Sequence, residues 1–126
     1  MMEASSALVI IAHGSGRAAW HDVVDAALAQ WRSRFGQAIS IAYVGGHSDR
    51  LSGALVTAYE SGARHICVLP LFIAPGGHVS KDLESAMGAF EETAPDCTVQ
   101  RLGTLLEMPA VIETLGQEIA RHLGSD

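Results

Sequence analysis

Residues 66–78 read Ile66-Cys-Val-Leu-Pro-Leu-Phe-Ile-Ala-Pro-Gly-Gly-His78, an apolar run that passes through a proline into a glycine-rich turn ending on a histidine. Residues 8–16 follow the same plan, with Leu8-Val-Ile-Ile-Ala12 leading into His13-Gly-Ser-Gly16. Unbroken apolar runs bounded by turn residues fit strands covered on both faces, as in a parallel sheet. Turns at the carboxyl ends of such strands open into the crevice where α/β proteins gather ligands. The two imidazoles are therefore expected on one rim. Imidazole both ligates first-row transition metals and changes protonation near neutral pH, so the pair points to chemistry at a metal.

Outward from these strands the chain alternates. Ala18 to about Phe35 has apolar residues at Ala19, Val23, Ala26, Ala27, Ala29 and Trp31, close to helical spacing, and Gly36 stops it. Ile39 to Val44 reads as a strand. A helix from about Arg50 to Ser61 follows, capped by Ser48 or Asp49 and ended by Gly62. Ala63 to Leu69 is a strand whose ladder Pro70 is expected to end, because proline has no N–H to donate. Leu71 to Gly77 reads as a loop, and Ser80 caps a helix to about Thr93. Thr98 to Leu102 is a weaker strand, and Pro109 opens a last helix reaching His122. The order β-α-β-α-β-α-β-α predicts one α/β domain over 1–126, a four-stranded parallel sheet with helices on both faces.

The 126 residues suit a single domain that buries on the order of two-thirds of its unfolded surface. With 48% apolar and 17% charged residues and a mean hydropathy of +0.23, disorder is excluded and apolar surface is left for self-association. The net charge of −6 repels nucleic acid and anionic membrane. Cys67 and Cys97 have no CxxC spacing, so a reduced, cytoplasmic setting is expected, with Cys67 as a small core residue. No segment approaches the roughly 20 apolar residues of a membrane span, and the N-terminus lacks the basic region of a signal peptide.

Other readings of the turns are weaker. His13 to Ala19 formally matches the G-x-G-x-x-A dinucleotide fingerprint, but Tyr43-Val44-Gly45-Gly46 stands where an acid should hold the ribose. A phosphohistidine enzyme needs an arginine just before its histidine, and Ala12 occupies that place. His47, in another post-strand turn, is a candidate extra ligand. His21, His65 and His122 are explained by surface roles. Arg17 opposes the helix dipole where it stands, which suits a ligand carboxylate better than helix stability. Ser15 and Ser80 present hydroxyl and N–H groups to anions.

Together, Leu8-Val-Ile-Ile-Ala-His-Gly-Ser15, Leu69-Pro-Leu-Phe-Ile-Ala-Pro-Gly-Gly-His-Val-Ser-Lys-Asp82 and Leu102-Gly-Thr-Leu-Leu-Glu-Met-Pro109 resemble the short, single-domain CbiX-type sirohydrochlorin cobaltochelatases, relatives of the siroheme ferrochelatases. The resemblance covers nearly the whole chain. It implies a three-layer chelatase-like α/β domain that inserts cobalt(II) or iron(II), as substrate metal with no permanently bound cofactor, into a tetrapyrrole of cobalamin or siroheme biosynthesis. His13 and His78 then bind the metal and take protons from the pyrrole nitrogens, while Ser15, Arg17, Gly76, Gly77 and Ser80 meet the macrocycle. It also implies a homodimer. The pattern departs at one place: the family's phenylalanine-leucine-glutamate after the second strand is replaced, with Gly45 where the carboxylate is expected. Weakened turnover, altered metal choice or loss of activity are the consequences that departure implies. The expected arginine is likewise displaced by one position to Arg17. The rival readings are a non-catalytic tetrapyrrole or metal carrier and, further off, a dinucleotide-binding module.

Overall fold

The apolar runs become the two inner strands of one parallel sheet with strand order β2-β1-β3-β4, where β1 is Ser5–His13, β2 Ala38–Val44, β3 Ala63–Pro70 and β4 Thr98–Arg101. The computed structural model describes residues 5–14, 16–44 and 50–124, with the side chains of residues 44 and 77–80 outside that description. Ile10 sits opposite Ile41 on β2 and Leu69 on β3, which fixes the register of all three strands. The connecting helices are α1 (Ala18–Arg34), α2 (Arg50–Glu60), α3 (Gly77–Thr93) and α4 (Pro109–Leu123).

Alternation along β1 sorts its side chains onto two faces. Val9 and Ile11 face Leu51 and Leu55 of α2 and Leu83, Met87 and Phe90 of α3. Ile10 faces Val24 and Leu28 of α1, with Trp20, Trp31, Leu102 and Met108 packed around them. Val9, Ile10, Ile11, Leu55, Ile66 and Val68 have no exposed surface, whereas Leu8 and Cys67 on the α1 side of the sheet are only half-buried.

Several boundaries differ from the sequence reading, each for a physical reason. Pro70 belongs to β3, opposite Ile11. In a parallel strand, residues two apart point the same way. The Val68 carbonyl accepts Leu102 N–H at 2.8 Å from the β4 side, and Leu71 N–H donates to Ile11 on the β1 side at 2.7 Å. Pro70 therefore points its missing N–H where β4 has already ended, and the inner ladder is untouched. Helix α3 starts at Gly77 with Gly76 as its N-cap, four residues before the expected cap Ser80. The inward stripe of α1 is Trp20, Val24, Leu28 and Trp31, and Val23 is 67% exposed, because the bulkier set wins the buried face. Cys67, expected in the core, is half-exposed, while Cys97 is buried. A 3₁₀ turn at Leu105–Glu107 appears between β4 and α4, which the sequence reading left unassigned. Gly62, at φ +112, ends α2 as its left-handed conformation requires. The Ser48 or Asp49 cap of α2 lies outside the described residues.

Candidate functional site

The strand order reverses direction between β1 and β3, since the chain steps from β1 outward to β2 and then back across to β3. That switch point is where a parallel sheet opens a crevice at its carboxyl edge. His13 is the last residue of β1. By alternation its side chain lies on the face shared by Val9, Ile11 and α3. The exposed His13 ring rests on Phe72, centroids 4.6 Å apart and planes tilted by 39°. The Trp20 indole N–H donates to the His13 carbonyl oxygen at 2.9 Å, tying the first turn of α1 to the end of β1.

The loop after β3 carries Phe72 and leads to α3, whose first turn contains Gly77, His78 and Ser80. It is braced from behind. Leu105 N–H donates to the Phe72 carbonyl and Leu106 N–H to the Ile73 carbonyl, both at 2.9 Å. The 3₁₀ turn that supplies these donors is closed by a capping box. Glu107 Oε1 accepts the Thr104 N–H at 2.9 Å and the Thr104 hydroxyl at 2.8 Å, and Thr104 is 1% exposed. Those two donors hold the Glu107 carboxyl below its ordinary pKa, chiefly through the backbone N–H. Glu107, Thr104, the 3₁₀ turn, Phe72 and His13 thus form one continuous set of contacts under the rim.

Of the residues singled out from sequence, His13 ends β1, while Arg17, Gly76, Gly77, His78 and Ser80 belong to the loops or helix starts that follow β1 and β3. Arg17 is exposed at the N-cap position of α1, and Gly76 holds the equivalent position on α3. A Cβ at Gly76 meets nothing within 4 Å, so that flank is open. Ser15 and His47 lie outside the described residues, as do the side chains of His78 and Ser80. Among the described residues no three His, Cys, Asp or Glu side chains gather as a group able to hold a metal ion.

Sequence reasoning missed Phe72, Trp20 and the capping box, because an apolar loop residue or a Thr-x-x-Glu gives no local sign of what it supports. His21 and His65 also differ from the surface roles expected of them. His21 is half-buried with its Nδ1 3.4 Å from the Tyr43 hydroxyl at the end of β2, its ring edge-on to the tyrosine at 5.1 Å. His65 is half-buried with Nε2 3.5 Å from Cys67 Sγ. His122 matches its expectation, exposed at the end of α4 with Nδ1 2.9 Å from the Glu118 carbonyl.

A parallel β2-β1-β3-β4 sheet in which His13 ends one central strand and the helix holding His78 follows the other has the fold of the chelatase-type α/β domains. The sequence model of the CbiX family matches residues 7–122, and the chain belongs to that family. It is 30% identical over 81 residues to a sirohydrochlorin cobaltochelatase of Saccharolobus islandicus, a match covering 64% of this chain and 62% of that relative's length. Among solved structures it resembles a putative cobalamin biosynthesis CbiX protein from Marinobacter aquaeolei, with TM-score 0.73 and 22% identity over 94% of this chain and 98% of that one. The sirohydrochlorin chelatase SirB of Bacillus subtilis subspecies spizizenii, solved with cobalt, aligns with TM-score 0.63 and 17% identity over 77% of this chain and 42% of its own. At these identities the structures establish the shared fold. The carrier and dinucleotide readings gain no support from these relatives.

Proposed function

We propose that this protein inserts a divalent metal, cobalt or iron, into sirohydrochlorin or a related tetrapyrrole, as a metal chelatase of cobalamin or siroheme biosynthesis. The observation that carries the reading is His13, exposed on Phe72 at the switch point, with the first turn of α3 and its His78 following the neighbouring strand on the same face of the sheet. Membership of the CbiX family and the names of the relatives support it.

In this reading the metal is a substrate and no cofactor stays bound. His13 and His78 hold the incoming ion and, as neutral imidazoles, take the protons that two pyrrole nitrogens must lose. Three or fewer protein ligands leave the ion a position from which to transfer, and His47 is the candidate for a third. The macrocycle's rim carboxylates meet the N-termini of α1 and α3, with Ser15, Gly77, Ser80, Arg17 and Lys81 as the residues proposed to meet them, and the open flank at Gly76 admits its edge. The protein acts in the cytoplasm as a homodimer, without nucleic acid or membrane; none of the described helices is long and apolar enough to cross a bilayer.

The test is anaerobic incubation of the purified chain with sirohydrochlorin and, separately, cobalt(II), iron(II) and nickel(II), following the macrocycle's absorbance in wild type, His13→Ala and His78→Ala. Metallated product in wild type and its loss in both variants is the expected result. Binding of macrocycle and metal without single-turnover product would make the protein a carrier.

A further inference from the structure

The α1 side of the rim holds a polar pair that the chemistry at His13 and His78 leaves unused. Tyr43 is the last residue but one of β2 and stands opposite Ala12, the residue before His13. Alternation along β2 puts it on the face of Ile39 and Ile41, against α1. His21, in the first turn of α1, brings its Nδ1 to 3.4 Å from the Tyr43 hydroxyl, with the two rings edge-on at 5.1 Å. Both residues are half-buried, so both remain within reach of solvent. Packing on Ile41 would be served as well by a phenylalanine, and the hydroxyl with the histidine that meets it is more than packing requires.

The pair is held at the crevice. The Trp20 indole N–H donates to the His13 carbonyl at 2.9 Å, which pins the part of α1 beside His21 to the end of β1. A Cβ at Gly14 would come within 3.9 Å of the Tyr43 Cβ, so the tyrosine stands alongside the turn that follows His13. The surrounding charge favours an anion. Arg17 is four residues before His21, one turn nearer the rim on the same side of α1. The first turn of α1 contains no acid. Its two acids lie elsewhere: Asp22 is turned about 100° round the helix from His21, and Asp25 is about 6 Å farther from the rim. A divalent cation at the pair would be repelled by the Arg17 guanidinium, and a carboxylate would be drawn to it.

We propose that Tyr43 is a specificity-determining residue that donates its phenol O–H to a peripheral carboxylate of the macrocycle, with His21 as the positioning residue that holds the phenol. This deepens the chelatase reading and rests on it for the nature of the ligand. An N–H donated from His21 Nδ1 to the phenol oxygen leaves the phenol's own hydrogen for the carboxylate, and two such bonds in series strengthen each other. A hydrogen bond to a charged acceptor is much stronger than one to a neutral ester, so the contact selects macrocycles that carry acids at this position. The peripheral carboxylate is unchanged by metal insertion, so its binding is equal in ground and transition states and acts on KM while leaving kcat in place.

The full chain is titrated with metal-free sirohydrochlorin and with its full methyl ester, followed by macrocycle fluorescence, as wild type, Tyr43→Phe, His21→Ala and His21→Asn. Cobalt(II) insertion into the acid then gives kcat and KM separately. Tyr43→Phe keeps the ring and removes the hydroxyl alone, and His21→Asn keeps a side-chain N–H near the place of Nδ1. Wild type is expected to prefer the acid. Tyr43→Phe and His21→Ala should bind the acid about tenfold more weakly, with ester binding unchanged, KM raised to match and kcat within about twofold. His21→Asn should restore most of the affinity. Undiminished acid binding by Tyr43→Phe, an equal loss for acid and ester, or a fall in kcat at unchanged KM overturns the assignment, and failure of His21→Asn to restore affinity overturns the part given to His21. A wild type that discriminates acid from ester through Tyr43 but yields no metallated product would count against the chelatase function alone. A wild type that binds neither macrocycle overturns both.

Discussion

Replacing His13 by alanine should separate chemistry from stability. The His13 side chain is exposed and its recorded contact is the tilted stack on Phe72 at 4.6 Å. An aromatic pair of that kind contributes about 0.5–1.5 kcal/mol, and its exposure places it at the low end of that range. The Trp20 bond goes to the backbone carbonyl and survives the substitution. The melting temperature should therefore fall by no more than about 4 °C for a domain of this size. If the imidazole holds metal and accepts pyrrole protons, turnover should fall by about 10²-fold or more. Calorimetry gives the first quantity, and anaerobic absorbance with sirohydrochlorin and cobalt(II) gives the second. Turnover within about threefold of wild type would refute the assigned role, and a collapse of the melting temperature would mean that the ring is a structural part of the rim.

Three further outcomes follow from the same contacts. Leu55 is completely buried between α2 and the sheet, so Leu55→Ala should cost about 2–5 kcal/mol, read as a lowered urea midpoint at unchanged slope. The Glu107 carboxyl is held below its ordinary 4.5 by the Thr104 donors; its stabilisation is complete above that ordinary value and is lost as pH falls through the lower folded value. The urea midpoint of Glu107→Gln should accordingly fall short of wild type near neutral pH and approach it under acid, and a gap that persists at low pH would contradict the ionic account. Gly45→Glu restores the carboxylate that the family pattern places after β2, and cobalt insertion should speed up under the same absorbance assay if its absence limits turnover.

The fold was legible where a local pattern had a global cause. Two unbroken apolar runs require cover on both faces, and that requirement identified β1 and β3 as buried strands of a parallel sheet, while their central place in the strand order had no local sign. The Pro70 assignment failed because the sequence shows that an N–H is missing but not which neighbour it would have faced. The start of α3 was missed because Gly76 caps the helix through its extended backbone conformation, with no capping side chain to announce it. Cys67 was misread because its strand looks equally apolar on both sides, whereas one side is covered by α2 and α3 and the other opens onto an apolar groove. Among the candidate site residues, glycine and histidine stand out in the sequence because few residues serve their purposes. Phe72 was invisible because an aromatic residue in a loop gains its meaning only from the ring that rests on it.

The 3₁₀ turn grips the loop after β3 through the carbonyl groups of Phe72 and Ile73, while the Phe72 ring carries His13 and the Ile73 side chain stays exposed. Amide-to-carbonyl bonds tolerate any residue that keeps the same backbone path. Substitutions at Ile73 are thus able to change what the loop presents while the scaffold beneath stays in place, and under the proposed chelatase function that makes selectivity adjustable by single replacements without refolding the platform.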